Sequence, residues 1–375
     1  MLLSSSLKAL AGALLLGASV VSAQETSEKA SVAGLFPGWP KPGKKCLFPR
    51  KRKEWRKLSN REKEEWLDGF MCLSKLPHTD ALTPVVRPPD IAPVNASSSF
   101  YDDIVYMHMD LNLKIHFTGQ FLPWHRWYQQ FVEDQMRKKC GFKGTMPYWD
   151  WTKDAHDIYN SPIWESHPRH GLGTWGDPNK VFRVTDGALR NMKLSYPSPI
   201  VGFRRNFTIQ PYLNVLPATN PNHTIFANET YQAKDVHRLV NGYVGDFVGF
   251  QYDFEFVPGS HSALHRTLGG DMGGYCPSTA YPGCVGGPTF SPNDVTFFLH
   301  HGMVDKIWAD WQKKNKKNKN AFFGGSVQDR AKFPNGAPPN LGLRSPMPAA
   351  GMVPEEALIE DVMDIKGGYL CYEYV

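Results

Sequence analysis

The sequence predicts a mainly α-helical fold, with a few helices set around one site and long loops wrapped over them. Three observations carry this. Apolar residues recur at helical spacing in several capped segments, Pro- and Gly-rich stretches separate those segments, and histidines gather in two groups on or beside them. No internal repeat or convincing linker divides the 375 residues, so 24–375 read as a single domain.

Residues 1–23 read as a secretory leader: one positive charge at Lys8, an apolar run over 9–21, and small residues at Val21-Ser22-Ala23. The run is too short to span a bilayer comfortably and nothing later resembles a membrane helix, so secretion without a membrane anchor is expected. After a Pro/Gly/Lys-rich lead-in, Ser59 with Glu62 forms a capping-box pattern. It opens a helix with Trp66, Phe70, Leu73 and Leu76 on one face, stopped by Pro77. Ser98 or Ser99 caps a second helix that aligns Ile104, His108, Leu111 and Ile115. A third starts near Trp124, just after Pro123, and runs to about Lys139. Residues 147–252 read as loop with short strands at best. Helices return at 261–268 and 292–311, the latter with Ser291 as cap, Pro292 at its first position and Asp294 completing a capping box. The tail from Phe322 is irregular with short β-prone pieces.

Composition narrows the function classes. Hydrophobic residues make up 41% and charged residues 21%, which is globular, and 11 Trp, 15 Tyr and 22 Phe favour aromatic-lined pockets. The net charge of +6 is scattered, and the lysine run over 313–319 reads as a solvated helix end, so no nucleic-acid partner is expected. Six cysteines suit an oxidising compartment but allow 15 pairings, of which only Cys276 with Cys284, closing a short Pro/Gly loop, is favoured. Sequons at Asn95, Asn206, Asn222 and Asn228 agree with secretion.

The chemistry lies in the histidines. His261 and His265 are four apart on a helix and point the same way, so they can share an ion that still needs a further ligand. His300 and His301 sit on the last long helix, where only one is expected to face the site. Phe297, His301 and Asp305 share a face, which makes His301 the ligand, Asp305 a plausible acceptor for an imidazole N–H, and His300 a neighbour packed nearby or partly exposed. His108, His116 and His125 fall within a helix, beyond its end and at the start of the next, and a tight helix pair brings them together. All-imidazole sets suit Cu, Zn, Fe or Ni. H-E-x-x-H is absent, and although a lone three-histidine zinc site stays open, two triples point to a binuclear centre.

The stretch His116-Phe117-Thr118-Gly119-Gln120-Phe121-Leu122-Pro123-Trp124-His125-Arg126, extending to Glu133, resembles the copper A signature of tyrosinases. Asp294-Val295-Thr296-Phe297-Phe298-Leu299-His300-His301, with Asp305 following, resembles their copper B signature, and residues 147–151 resemble another family stretch. The resemblance covers roughly Cys46 to Tyr374 and is nearest to short secreted fungal tyrosinases and catechol oxidases. It implies a four-helix bundle holding two copper ions, one on His108, His116 and His125 and one on His261, His265 and His301. The activity implied is oxidation of small phenols with O2: o-diphenols to o-quinones, and ortho-hydroxylation of monophenols as a further option.

The departures are specific. Lys114 stands where many members have a Cys that forms a thioether to the second copper A histidine, so none is expected. Val295 replaces a usual Pro, with little effect expected. The end at Tyr372-Glu373-Tyr374 resembles the motif that closes the catalytic domain, so no shielding C-terminal domain is expected. Ser262 follows the first copper B histidine where an Asn goes with monophenol activity; Glu255 is the candidate acid that orients a water there. Residues 269–274 are expected to form a flexible loop beside the substrate, and Phe297 to pack on the ligands and limit access. Rival readings are an oxygen-binding protein without turnover, a secreted zinc enzyme, and an oxidase for one pigment precursor or an o-aminophenol.

Overall fold

The computed structural model describes residues 46–207, 229–256 and 258–375; the leader and the sequons at Asn222 and Asn228 lie outside them. Among the described residues seven α-helices dominate: α1 (Asn60–Leu73), α2 (Phe100–Ile115), α3 (Phe121–Cys140), α4 (Ala233–Asn241), α5 (Phe247–Glu255), α6 (Ser260–Leu268) and α7 (Thr296–Lys314). The strands β1 (Arg50–Arg52), β2 (Lys193–Leu194), β3 (Ile200–Val201), β4 (Gly325–Asp329), β5 (Phe333–Asn340) and β6 (Tyr372–Tyr374) form three two-stranded sheets. The fold is mainly helical, as the sequence predicts. No described helix is long and apolar enough to cross a membrane.

Local chemistry explains where the helices start. Ser59 accepts the Glu62 N–H while Glu62 takes the Ser59 N–H, and Ser99, not Ser98, makes the same reciprocal pair with Asp102. Helix α3 begins at Phe121, earlier than expected, because Pro123 in its first turn needs no N–H partner. It ends on Gly141, whose φ of 69° is the left-handed conformation that closes helices.

Two expectations fail. The stretch read as loop contains α4 and α5, nine residues each, whose buried Leu239 and Phe247, Phe250 and Phe254 do recur at helical spacing. The expected cap of the last long helix is also different. Residues Pro288–Asn293 form a 3-10 turn, the Ser291 hydroxyl donates to the Pro288 carbonyl, and α7 begins only at Thr296. Asp294 still serves the start of α7, but by accepting the Thr296 N–H while both its oxygens bind Arg205 at 2.9 and 3.0 Å.

Packing then sets the centre. Helix α3 lies against α1, α2 and α7, α2 also packs on the 3-10 turn that leads into α7, and α6 packs on α5. Residues 147–151 run along α7, where Trp149 donates to the Leu299 carbonyl at 3.0 Å. Gly302 permits that approach: a Cβ there would stand 2.7 Å from the Pro147 oxygen and 2.8 Å from Tyr148 Cβ. Gly302→Ala is expected to cost about 1–3 kcal/mol, the usual range for an overpacked core. Urea unfolding reads it, and an unchanged midpoint would show that the 147–151 segment yields freely.

Disulfides tie the periphery. Cys276–Cys284 forms as expected; Cys72–Cys140 joins the ends of α1 and α3, and Cys46–Cys371 joins the two ends of the described chain. Beside the last, β1 pairs in parallel with β6, Arg50 opposite Tyr372 and Arg52 opposite Tyr374.

Candidate metal centre

Six imidazoles from α2, its C-cap, α3, α6 and α7 meet in the interior. His108 lies in mid-α2, His116 is the residue that ends α2, and His125 follows on α3. Their ligand atoms lie within 4.8 Å of one another, as do those of His261, His265, His300 and His301. All seven side chains are buried.

Three of the rings are oriented by main-chain carbonyls. Nδ1 of His108 meets the Thr289 oxygen at 2.7 Å, Nδ1 of His125 the Phe121 oxygen at 2.7 Å, and Nδ1 of His265 the Met272 oxygen at 2.8 Å. A carbonyl can only accept, so each Nδ1 carries the proton and each Nε2 presents a lone pair. Nε2 of His108 faces Nε2 of His125 at 3.4 Å, which therefore sets two lone pairs against each other. His265 Nε2, again a lone pair, lies 3.4 Å from Nε2 of His301, a ring whose Nδ1 has no partner to fix its tautomer. Ligands about 2.0–2.1 Å from one central ion in a tetrahedron stand roughly 3.3 Å apart, so both pairs fit a shared cation. Both ring nitrogens of His116, of His261 and of His300, and Nδ1 of His301, are buried without a hydrogen-bond partner, a costly arrangement that a metal ion relieves for the rings that ligate it.

Burial holds these rings neutral, the form that binds metal. It pushes the pKa of His108 down to about 3 and of His265 to about 4, and those of the other rings well below the usual value.

The two groups adjoin. His125 and His301 stack at 4.5 Å and 14°, one ring from each group. Phe297 lies 4.1 Å from His301 and 5.2 Å from His108, centroid to centroid, so it packs on both. Phe121, which sequence reasoning left unassigned, does the same from the other helix, 4.7 Å from His261 and 5.1 Å from His125. Its signal was its place one turn before His125.

Of the two alternatives for His300 the structure takes the first: it is packed nearby, fully buried and stacked on His261 at 5.3 Å and 18°, so the second group has four imidazoles. Two expectations change here. Asp305 does not accept an imidazole N–H. One turn beyond His301 is a full helical pitch away, and its oxygens there bind Arg126, Tyr372 (2.5 Å) and Tyr374. The 269–274 loop is packed rather than free: Gly269 and Gly270 take φ of 59° and 52°, and a Cβ on either would strike the Asn206 or Arg204 carbonyl. That packing fixes the Met272 oxygen on which His265 is hung.

Glu255, at the end of α5, is buried; Oε1 accepts the Phe117 N–H at 2.6 Å and Oε2 the Gln251 amide at 3.1 Å. Burial raises its pKa well above the usual carboxylate value, against those hydrogen bonds and the Arg330 charge. The Ser262 hydroxyl turns back to the Glu255 main-chain carbonyl.

Residues 98–314 match the family model for the common central domain of tyrosinase. The chain belongs to the tyrosinase family. Members hold a binuclear copper centre, and the two histidine groups fit such a site. Tyrosinase-like protein phomQ1 of Diaporthe leptostromiformis is 29% identical over 89% of this chain and 79% of its own length. Tyrosinase P of Aspergillus terreus is 26% identical over 89% and 94% respectively. N-acetyl-6-hydroxytryptophan oxidase of Emericella nidulans is 27% identical over 86% and 91%. Among solved structures, a polyphenol oxidase from Thermothelomyces thermophila superposes with a TM-score of 0.61 at 24% identity, covering 87% of this chain and 89% of that one, which shows the shared fold. The chain is thus a copper oxidase of the tyrosinase family.

Proposed function

We propose that this chain is a secreted phenol oxidase holding two copper ions, one on His108, His116 and His125 and one on His261, His265 and His301. Its substrates are small o-diphenols, which it converts to o-quinones with O2. The observation that carries this is the pair of buried imidazole groups, each with two Nε2 atoms 3.4 Å apart, joined by the His125–His301 stack. When bound, the copper pair supplies the redox chemistry that passes electrons from the phenol to O2.

The chain's own residues prepare that site. The Thr289, Phe121 and Met272 carbonyls hold three rings in the tautomer that aims Nε2 inward. Phe121 and Phe297 each pack on rings of both groups and so help hold them side by side. Glu255 is the candidate for orienting a water that deprotonates a monophenol. Both of its oxygens already serve protein donors, and the Ser262 hydroxyl donates to the Glu255 main-chain carbonyl instead of standing beside the carboxyl. This arrangement favours diphenol oxidation over monophenol hydroxylation. Secretion is supported by the pairing of all six cysteines together with the leader pattern.

The test is O2 uptake by copper-loaded protein with 4-methylcatechol and, separately, tyramine. Steady uptake with the catechol supports the proposal. No uptake with either, at two coppers per chain, would overturn it. The relative named as an oxidase of one hydroxylated tryptophan derivative favours a second reading, a pathway oxidase of narrow range. Turnover of an o-aminophenol or hydroxyindole but not of simple catechols would select that one.

A further inference from the structure

His116 is held differently from His108 and His125, the other two rings of its group. Neither of its ring nitrogens has a hydrogen-bond partner, and no covalent tether is available, because Lys114 stands two residues before it and all six cysteines are in disulfides. It sits in the tight turn between α2 and α3, where Phe117 adopts φ of 54°. A left-handed backbone at a bulky residue costs on the order of 1–3 kcal/mol and persists only where the surroundings enforce it.

The enforcement is on the main chain. The His116 carbonyl accepts from Gln328 Nε2 at 3.2 Å, the Phe117 N–H donates to Glu255 Oε1 at 2.6 Å, and the Thr118 carbonyl accepts from Gln251 Nε2 at 2.6 Å. The Gly119 N–H donates to the Gly325 carbonyl at 3.1 Å. Gln251 and Glu255 stand one turn apart on α5, the helix before the one that bears His261 and His265; Gln328 and Gly325 come from β4. Gln251 Nε2 also lies within reach of Glu255 Oε2 and of Asn335 Oδ1 on β5, its two N–H groups shared among the three acceptors, so the three elements form one network.

We propose that Glu255, Gln251 and Gln328 are positioning residues for His116: they clamp the 116–119 turn and hold the ring in ligating position without touching it. The inference rests on the reading of the two triples as copper sites. It gives Glu255 a role separable from any proton transfer. That role needs only an acceptor for the Phe117 N–H, which a glutamine's amide oxygen also supplies.

The experiment is release of copper from the holoprotein to a chelator, followed in time with total copper per chain. In Glu255→Ala and in the Gln251→Ala/Gln328→Ala double variant, one of the two coppers is expected to dissociate about 10–100-fold more readily, the usual effect of removing groups that orient a ligand. The other copper keeps its wild-type rate. Glu255→Gln is expected to retain both, whatever it does to turnover. In a His116→Ala background the double substitution adds nothing further. Gln328→Ala alone, a half-buried hairpin residue, gives the same direction where the stronger variants fold poorly. Wild-type release rates in both strong variants, equal loosening of both coppers, or a Glu255→Gln as leaky as Glu255→Ala would each overturn the clamp. A wild-type protein that binds fewer than two coppers would overturn the functional reading beneath it.

Discussion

Replacing His301 with alanine is expected to remove one copper and the oxidase activity together, while His300→Ala keeps two coppers and most of the activity. The argument is geometric. His301 Nε2 faces the His265 Nε2 lone pair at 3.4 Å, its ring stacks on His125 of the other group, and Phe297 packs on it at 4.1 Å. Without it, the second group keeps two imidazoles from α6 and a His300 ring that lies nearly parallel over His261 instead of facing a partner lone pair. A metal's polarising effect is worth several kcal/mol, and each 1.36 kcal/mol is tenfold in rate, so activity falls by roughly a thousandfold or more. Both variants remove a fully buried imidazole from adjacent positions, so the stability loss is shared and cancels in the comparison. Copper per chain by elemental analysis separates them. A His300→Ala protein with one copper beside a His301→Ala protein with two would reverse the assignment.

Much of this was legible from local pattern alone, and the reasons are physical. Capping boxes at Ser59 and Ser99 involve residues three apart, so both partners stand in one line of sequence. His261 and His265 share a helical face by spacing, and Cys276–Cys284 closes only eight residues. The signature stretches added the ligand triples. What stayed hidden depends on which distant groups arrive at a residue. Helix periodicity put Asp305 on the His301 face, but nothing local shows that Arg126 and two tyrosines from β6 meet it there. Glu255 likewise finds its partner in the Phe117 N–H, 138 positions away. Adjacent residues on a helix diverge, so His300 was set aside; the His261 ring, reaching over from α6, stacks on it regardless. The two nine-residue helices α4 and α5 were lost because a short periodic run among Pro and Gly looks like loop.

Asp305→Ala is expected to be the most destabilising of the single substitutions considered, at about 3–5 kcal/mol, the range for leaving a buried charge without its partner. Asp305 joins three parts of the chain. It pairs with Arg126 of α3, stands 3.6 Å from Arg52 of β1, and accepts both tyrosine hydroxyls of β6. The two guanidiniums are at most 1% exposed and stack on Trp308 and Tyr372 at 3.6 and 3.5 Å, so neither can turn to water. Arg52 retains Glu133 at 3.5 Å, but Arg126 would be left with neutral acceptors only, Gln312 and the Val362 carbonyl. Asp305→Asn preserves shape and one acceptor oxygen, so a smaller loss is expected, about 1.5–3 kcal/mol, as for a hydrogen bond to a charged group. Urea unfolding measures both, and an unchanged midpoint in the alanine variant would remove the carboxylate from any structural role. Copper content decides the other half of the question. If Asp305 instead oriented an imidazole, the asparagine variant would shed copper before it lost stability. Since the carboxylate binds arginines and tyrosines and no imidazole, the folded asparagine variant is expected to hold two coppers, its defect confined to how firmly α7 is bound to β1, α3 and β6.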